Sequence, residues 1–449
     1  MIPSEIEEQA KKQNFYVSHL AEVNKTQEVT SSEDVFNDKG VLLVKKGIRI
    51  NQDVADRILN HKLLKPLEEQ VALESSLDKT VLISDFNQLF LDFSDLKKIH
   101  DVHEFEEDLK KIIQVVSKKK FLLQKLTVLK HQLSDVYTKA LFSAWLSGLL
   151  AKKLDLEESD IQCAFIAGLF HDIGLLHISP EILFKKGKLE PHEWRAIQSH
   201  VVIGFMLFSN MTKKFTKVAL AILEHHESCD GTGYPSGKYE DSLGIIGQIV
   251  AMADSLQAVR LNQFTKTGMN LHDALPFLNM NTSKHFSRVY QSTCLVIMEA
   301  ELPVTEEIPY DNIDEMIETL IERVGVLQDA IVVLMLICDL TKSLHDNEKS
   351  KKFTSVVLPV VHMINSSGLG KEDILMWLKT LKLKDEQNNI RELIEMDLMQ
   401  QELLWQLKKS VRFIDEFLDG AKLLSERQLA HMKKLSTYLF GSLKEKSIH

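Results

Sequence analysis

The chain has 449 residues, 44% of them hydrophobic and 26% charged, with 54 Lys and Arg against 64 Asp and Glu for a formal net charge of -10. That length supplies two or three domains with substantial cores, and the acidic balance argues against indiscriminate binding along a nucleic-acid polymer. The four cysteines, at 163, 229, 294 and 338, form no C-x-x-C pair and read as reduced intracellular thiols, which excludes a disulfide framework or a zinc knuckle.

The N-terminus begins Met1-Ile2-Pro3-Ser4-Glu5 and has no apolar signal-peptide core, so a cytoplasmic protein is expected. Residues 35–66 predict a small α/β piece: Val41-Leu42-Leu43-Val44 and Ile48-Arg49-Ile50 are β-prone runs around a hairpin-like turn at Lys45-Lys46-Gly47. Asn51 or Asp53 then starts a helix with Val54, Ile58 and Leu59 on one face. From Phe86 to about Lys130 the apolar spacing is helical, and Lys118-Lys119-Lys120 spreads around that helix as a solvated surface.

Residues 121–305 predict further helices and no convincing alternating strand. One apolar run, Ile161 to Leu169, leads into His171-Asp172; another, Val218 to Leu223, leads into Glu224-His225-His226; a third, Leu243 to Ala253, leads into Asp254. Pro303, Thr305 and Pro309 punctuate the chain. Beyond them, Ile313 to Leu344 and Leu393 to Phe440 are strongly helical, with a break at Asn365-Ser366-Ser367-Gly368-Leu369-Gly370. The most apolar stretch, Ala330 to Cys338, is nine residues long and reads as core rather than as a membrane span. The expected organisation is an N-terminal region over 1–120, a central domain over 121–305 and a helical C-terminal domain over 306–449.

The chemistry gathers in the centre. An aspartate has two oxygens that can serve one or two ions, and each imidazole adds one nitrogen. His171-Asp172 alone would be a weak signal. With His200, His225, His226 and Asp254 following, mostly at the ends of apolar segments, the series predicts a buried metal centre rather than a set of helix caps. Mixed His/Asp ligation without cysteine suits iron, manganese, zinc, nickel or cobalt. Such centres activate water and neutralise phosphoryl oxygens, so the substrate class is a phosphomonoester or a phosphodiester. The loop Asp230-Gly231-Thr232-Gly233-Tyr234-Pro235 follows two of the candidate ligands and reads as the rim of that site.

His171-Asp172-Ile173-Gly174, His225-His226-Glu227 and Asp230-Gly231-Thr232-Gly233-Tyr234-Pro235 resemble the signatures of the HD-GYP family of HD-domain phosphohydrolases. The stretch from Glu181 to Leu189 and Trp194 resembles that family's linker, and the match covers about residues 125–300. The resemblance implies an HD-domain helical bundle and extends to the small N-terminal α/β segment; with the additional helical C-terminal region read from its apolar spacing, the expected fold is mainly α. The resemblance also implies a metal-dependent phosphodiesterase acting on a cyclic dinucleotide such as cyclic di-GMP, with two transition-metal ions, iron or manganese. His171, Asp172, His200, His225, His226 and Asp254 would be the ligands, Asp172 also serving catalysis. Asp230, Gly233 and Tyr234 would line the substrate pocket, with the loop or the C-terminal helices open to signalling proteins and to a homodimer.

Three departures from the family pattern bear on activity. The family places a further metal-binding histidine 32 or 33 residues before His171, where this chain has Lys139 or Thr138; Asp135 lies one turn before Lys139. A lysine after Gly174 is replaced by Leu175. The phosphate-contacting arginine would fall near Gln263; Lys266 is the surviving cation for substrate and catalysis, and Arg260 on the preceding turn is a candidate substitute. The centre could then hold one ion or none, and the alternative is a catalytically inactive nucleotide-sensing or protein-interaction module.

Overall fold

Where apolar residues recur every three or four positions, helices form, and they account for most of the residues the structure describes. The computed structural model describes residues 3–187, 189–211, 213–265, 268–303, 313–341, 348–381, 389–419 and 425–444. The chain divides into two compact units, Met1–Gln263 with Ser283–Leu302, and Phe264–Thr282 with Pro303–His449.

The first unit opens with helices α1 (Ser4–Lys12) and α2 (Tyr16–Val23). Four short strands follow, β1 (Val29–Ser31), β2 (Val35–Phe36), β3 (Leu42–Val44) and β4 (Val71–Leu73), in two antiparallel pairs. β1 pairs with β4 and β2 with β3, so the hairpin expected between residues 41–44 and 48–50 does not form. The reason is local. Gly47 takes φ +80 and the turn wraps Ser31, whose hydroxyl donates to the Lys45 carbonyl at 2.6 Å and accepts from the Ile48 amide at 3.1 Å. Arg49 is left with a single bridge to Thr30. Helix α3 (Gln52–Leu59) starts at Asn51, whose side chain accepts from the Val54 amide at 3.0 Å.

Helices α4 (Lys79–Asp92), α5 (Ser94–Val102), α6 (Glu106–Ser117) and α7 (Lys120–Gln132) lead to α8 (Ser134–Lys153). Lys118, Lys119 and Lys120 are all exposed. α8 is the spine of the bundle: Tyr137, Leu141, Phe142, Trp145, Leu146, Leu149 and Leu150 are buried along it. Each such side chain contributes about 1.5–3 kcal/mol of transfer free energy. Against it pack α9 (Glu158–Phe170) and, beyond the short α10 (Pro180–Leu183), α11 (Pro191–Gln198), α12 (His200–Ser209) and α13 (Thr216–Glu224), the helix α14 (Ile245–Gln257). A 3₁₀ turn, Ile173–His177, follows α9, and a π-helical turn, Ala258–Phe264, ends α14.

The second unit is helical among its described residues. Helix Ile313–Thr341 packs with Glu348–Ser367, Glu372–Leu381, Ile390–Asp419 and Glu426–Lys444. Of the expected break at 365–370, only 368–370 fall between two of these helices, with Gly368 at φ +74; 365–367 are the last residues of the helix before it, and the run from Leu393 to Phe440 divides into two helices. The apolar stretch from Ala330 to Cys338 is part of a 29-residue helix rather than a nine-residue core segment, and Val332, Met335 and Leu336 on it are exposed. By length and composition that helix could cross a membrane, and half of its most apolar window is buried within the protein.

Candidate metal centre

Each candidate ligand sits where a helix starts or stops, or on the last turn of one. His171 follows α9, His200 opens α12, His225 follows α13, and Asp254 lies in the last turn of α14. Three of the four histidines are fixed by the same device. The Nδ1–H of His171 donates to the Gly168 carbonyl at 2.8 Å, that of His200 to Ile197 at 2.7 Å and that of His225 to Ile222 at 2.7 Å. With Nδ1 tied to a backbone carbonyl, each ring directs Nε2 into the cluster, the nitrogen through which a metal would be bound.

These nitrogens converge on two carboxylates. Asp172 Oδ1 lies 3.2 Å from His200 Nε2 and 3.9 Å from His225 Nε2, while its Oδ2 lies 3.3 Å from His171 Nε2. Asp254 Oδ1 is 3.5 Å from His171 Nε2, and its Oδ2 is 3.7 Å from His226 Nδ1. Donor atoms of Asp172, His200, His225 and His226 all lie within 4.8 Å of one another. Ligands opposed across one ion at about 2.1 Å each stand about 4.2 Å apart, so the group has the dimensions of a first coordination shell.

The electrostatics point the same way. His171 is fully buried and its Nε2 has no hydrogen-bond partner, although it faces both carboxylates. Burial opposes charge on His171, yet Asp172 and Asp254 overcome that penalty and hold its pKa well above the ordinary value. Asp172 is held well below the carboxylate range, burial being outweighed by His171 and His200; Asp254 is likewise depressed. Burial and the neighbouring imidazoles push His225 well down, and burial brings His226 to about 4. The pocket therefore keeps two ionised carboxylates, with His225 and His226 held neutral beside them, and draws positive charge to its centre. An orphaned buried Nε2 between two carboxylates fits a divalent cation.

The glycine-rich loop is built onto this cluster. The Tyr234 ring stands 4.7 Å from that of His226, and the Tyr234 amide donates to the His226 carbonyl at 3.0 Å. Burial and the two carboxylates push the Tyr234 phenol up, so it keeps its proton. Gly233 has no room for a side chain: a Cβ there would lie 2.4 Å from the His226 carbonyl oxygen and from the Glu227 Cα. Asp230, expected to face substrate, uses Oδ1 to accept from the Thr232 amide and hydroxyl at 3.0 and 2.7 Å, which closes the turn.

Two acids whose structural part the sequence did not reveal hold the loop in place. Glu227 accepts from the Ser236 and Lys238 amides at 2.7 and 2.9 Å. Glu224 accepts from Lys238 Nζ at 2.6 Å and from the Gly244 amide at 2.9 Å. Their spacing on either side of the His225-His226 pair was the available signal.

Other expected positions lie elsewhere. Arg260, a candidate for phosphate contact, is buried and gives Nε and Nη2 to Asp95 at 2.7 and 2.9 Å, with its guanidinium over the Phe93 ring. The π-helical turn after Asp254 aims it at α5. Lys266 lies outside the described residues. Among the described residues no side chain of α8 belongs to the donor group: Lys139 is half-buried and Asp135 exposed. Leu175 packs in an apolar cluster with Ile6, Ala10, Ile178, Val201 and Tyr234, and Gln263 is exposed.

Residues 110–288 match the family described as HD domain. The centre of this chain is similar to HD domains over those residues, and its motifs resemble those of the HD-GYP branch. A cyclic di-GMP phosphodiesterase of Thermotoga maritima is 35% identical over 144 residues, covering 32% of this chain and 39% of that protein. The cyclic di-GMP phosphodiesterase response regulator RpfG of Xanthomonas campestris is 33% identical over 141 residues, 31% of this chain and 37% of that one. A 3'3'-cGAMP-specific phosphodiesterase of Vibrio cholerae is 34% identical over 133 residues, 30% of this chain and 29% of its own length. The chain thus spans less than two-fifths of the length of these relatives.

Proposed function

We propose that the HD domain hydrolyses a cyclic dinucleotide at a phosphodiester bond, as a metal-dependent phosphodiesterase acting in the cytoplasm. The carrying observation is the convergence of Asp172, His200, His225 and His226 on one point, beside the orphaned Nε2 of His171. The relatives named as cyclic di-GMP and cGAMP phosphodiesterases support the substrate class.

His171, Asp172, His200, His225, His226 and Asp254 would hold the metal; a shell of imidazole and carboxylate suits iron, manganese, zinc, nickel or cobalt, and the resemblance to the HD-GYP family selects iron or manganese among them. Bound divalent ions supply an activated water and neutralise charge on the phosphoryl oxygens. The protein's own groups do the rest. The three Nδ1–H bonds keep the ligand tautomers fixed, so the shell needs no reorganisation. Tyr234, protonated and stacked beside His226, offers a ring face and an O–H at the rim for the substrate. In the hydrolysis a water oxygen bonds to phosphorus, the P–O ester bond breaks, and the departing ribose oxygen takes a proton.

A second reading has its own observation. Lys139 stands where the family has a ligand, Leu175 where it has a cation, and Arg260 is bound to Asp95. A module that binds a nucleotide without cleaving it follows from those losses. The deciding experiment loads the purified protein anaerobically with iron(II) or manganese(II), supplies cyclic di-GMP or 3'3'-cGAMP, and follows linear products by chromatography. Turnover that disappears in Asp172→Asn supports the phosphodiesterase. Nucleotide binding without turnover selects the silent module, and neither binding nor turnover removes both readings.

A further inference from the structure

Lys125 is a fully buried lysine on α7, outside the metal cluster. Its Nζ donates to Glu68 Oε1 at 2.7 Å and to His177 Nε2 at 3.1 Å, and it lies 3.8 Å from the centroid of the Tyr16 ring. Tyr16 in turn stacks on His177, with ring centroids 5.4 Å apart, and the Phe15 amide donates to the His177 carbonyl at 3.1 Å. Four separate pieces of chain therefore meet on one imidazole: α2, the Leu67–Glu69 turn, α7 and the 3₁₀ turn Ile173–His177. A buried charge has to be paired and hydrogen-bonded, and Glu68 and His177 meet that need for Lys125.

The location gives the network a second consequence. His177 is the last residue of the 3₁₀ turn, and the turn begins directly after Asp172. The Leu175 amide donates to the Asp172 carbonyl at 2.9 Å. Inside the turn, Gly174 lies so close to α12 that a Cβ would fall 2.1 Å from the His200 carbonyl oxygen. The turn is thus gripped at His177 and pressed against His200 at Gly174, with Asp172 at its head. The same turn joins His177 to Asp172, whose Oδ1 stands 3.2 Å from His200 Nε2.

We propose that His177, Lys125 and Glu68 are positioning residues for the metal centre: they hold the turn that carries Asp172, and so make metal capture depend on docking of the N-terminal segment that supplies Glu68 and Tyr16. This rests on the reading of the histidine and aspartate cluster as a metal site. None of the three residues touches substrate or metal; they act through the turn.

The test uses the full chain and manganese(II) alone, with its dissociation constant measured by calorimetry and the fold checked by circular dichroism and thermal melting. His177→Phe keeps a ring on Tyr16 and leaves the Lys125–Glu68 pair intact, but removes the acceptor. It should weaken manganese(II) binding about tenfold, the scale seen when a partner outside the coordination shell is lost. His177→Gln, which offers an amide oxygen in its place, should recover binding to within about threefold on the same scale. Amide exchange over residues 172–178 should accelerate in the first variant and not in the second. If His177→Phe does not fold, the double variant Lys125→Met with Glu68→Gln, which removes both charges together, takes its place under the same criterion. A folded variant that binds manganese(II) as tightly as the parent overturns the proposal and leaves the metal reading intact. A parent protein that binds no manganese(II) overturns both.

Discussion

Gly174→Ala should damage the metal centre without touching a ligand. The added Cβ would lie 2.1 Å from the His200 carbonyl oxygen and 2.8 Å from the His200 Cα and carbonyl carbon. All three are backbone atoms at the start of α12, so no side-chain rotation relieves the clash. An ordinary carbon–oxygen approach is about 3.3 Å, which leaves a shortfall of roughly 1 Å. The turn and α12 must separate by about that much, carrying Asp172 away from His200. Misplacement on that scale costs catalysis about a hundredfold, and metal–ligand distances tolerate only about 0.2 Å. Overpacking of this kind also costs about 1–3 kcal/mol of stability, with a fall in melting temperature of about 2–4 °C per kcal/mol. Calorimetry with manganese(II) and a thermal melt read both effects. A Gly174→Ala protein with manganese(II) affinity within about threefold of the parent and an unchanged melt would falsify the claim that close packing at Gly174 sets the ligand geometry.

Three more predictions follow from particular contacts. Glu227→Ala removes the carboxylate that receives the Ser236 and Lys238 amides, so amide exchange over 231–238 should accelerate while the bundle keeps its protection; the loss should be about 1–3 kcal/mol locally. Lys125→Met leaves Glu68 buried beside His177 without its cation and should cost about 3–5 kcal/mol in urea denaturation, much of it recovered by adding Glu68→Gln. Acid should destabilise the first unit in two stages. Burial, with Lys125 adding to it, holds His177 down at about 3, so the unfolded chain takes up a proton below pH 6.5 that the folded chain refuses. Glu68, although buried, is held at about 2 by Lys125 and His177, so its stabilisation is full above pH 4.5 and is lost as pH falls toward 2. Both groups make stability rise with pH, with a slope of about 1.4 kcal/mol per pH unit for each proton, and His177→Gln should remove the stage between pH 6.5 and 4.5.

Much of the bundle is legible in the sequence because helical burial is a local, periodic property. The apolar runs that end at His171, at His225 and near Asp254 are helices, and each delivers its polar end to one region. The Asn51 cap was equally readable, since a cap acts within three residues. What failed involved a choice of distant partner. β3 is a good strand in isolation, but nothing local says that it pairs with Val35–Phe36 rather than with residues 48–50. Arg260 follows Asp254 by six residues, yet a π-helical turn rotates it to Asp95, 165 positions earlier. Leu175 is visible as a missing cation; that it packs with Ile6 and Ala10 of α1 is not.

By itself the sequence determined which chemistry is present: imidazoles and carboxylates at helix ends, a glycine-rich loop beside them, and no cation at 175. The tertiary structure decided what each group is committed to. It turns three rings so that Nδ1 is tied to backbone and Nε2 faces the carboxylates, binds Arg260 to Asp95, and places Lys125 on His177 behind the turn that carries Asp172. The division has a physical cause. Side-chain type and helical period are set by neighbours within a few residues, whereas tautomer, pKa and ion pairing depend on groups brought close only by folding.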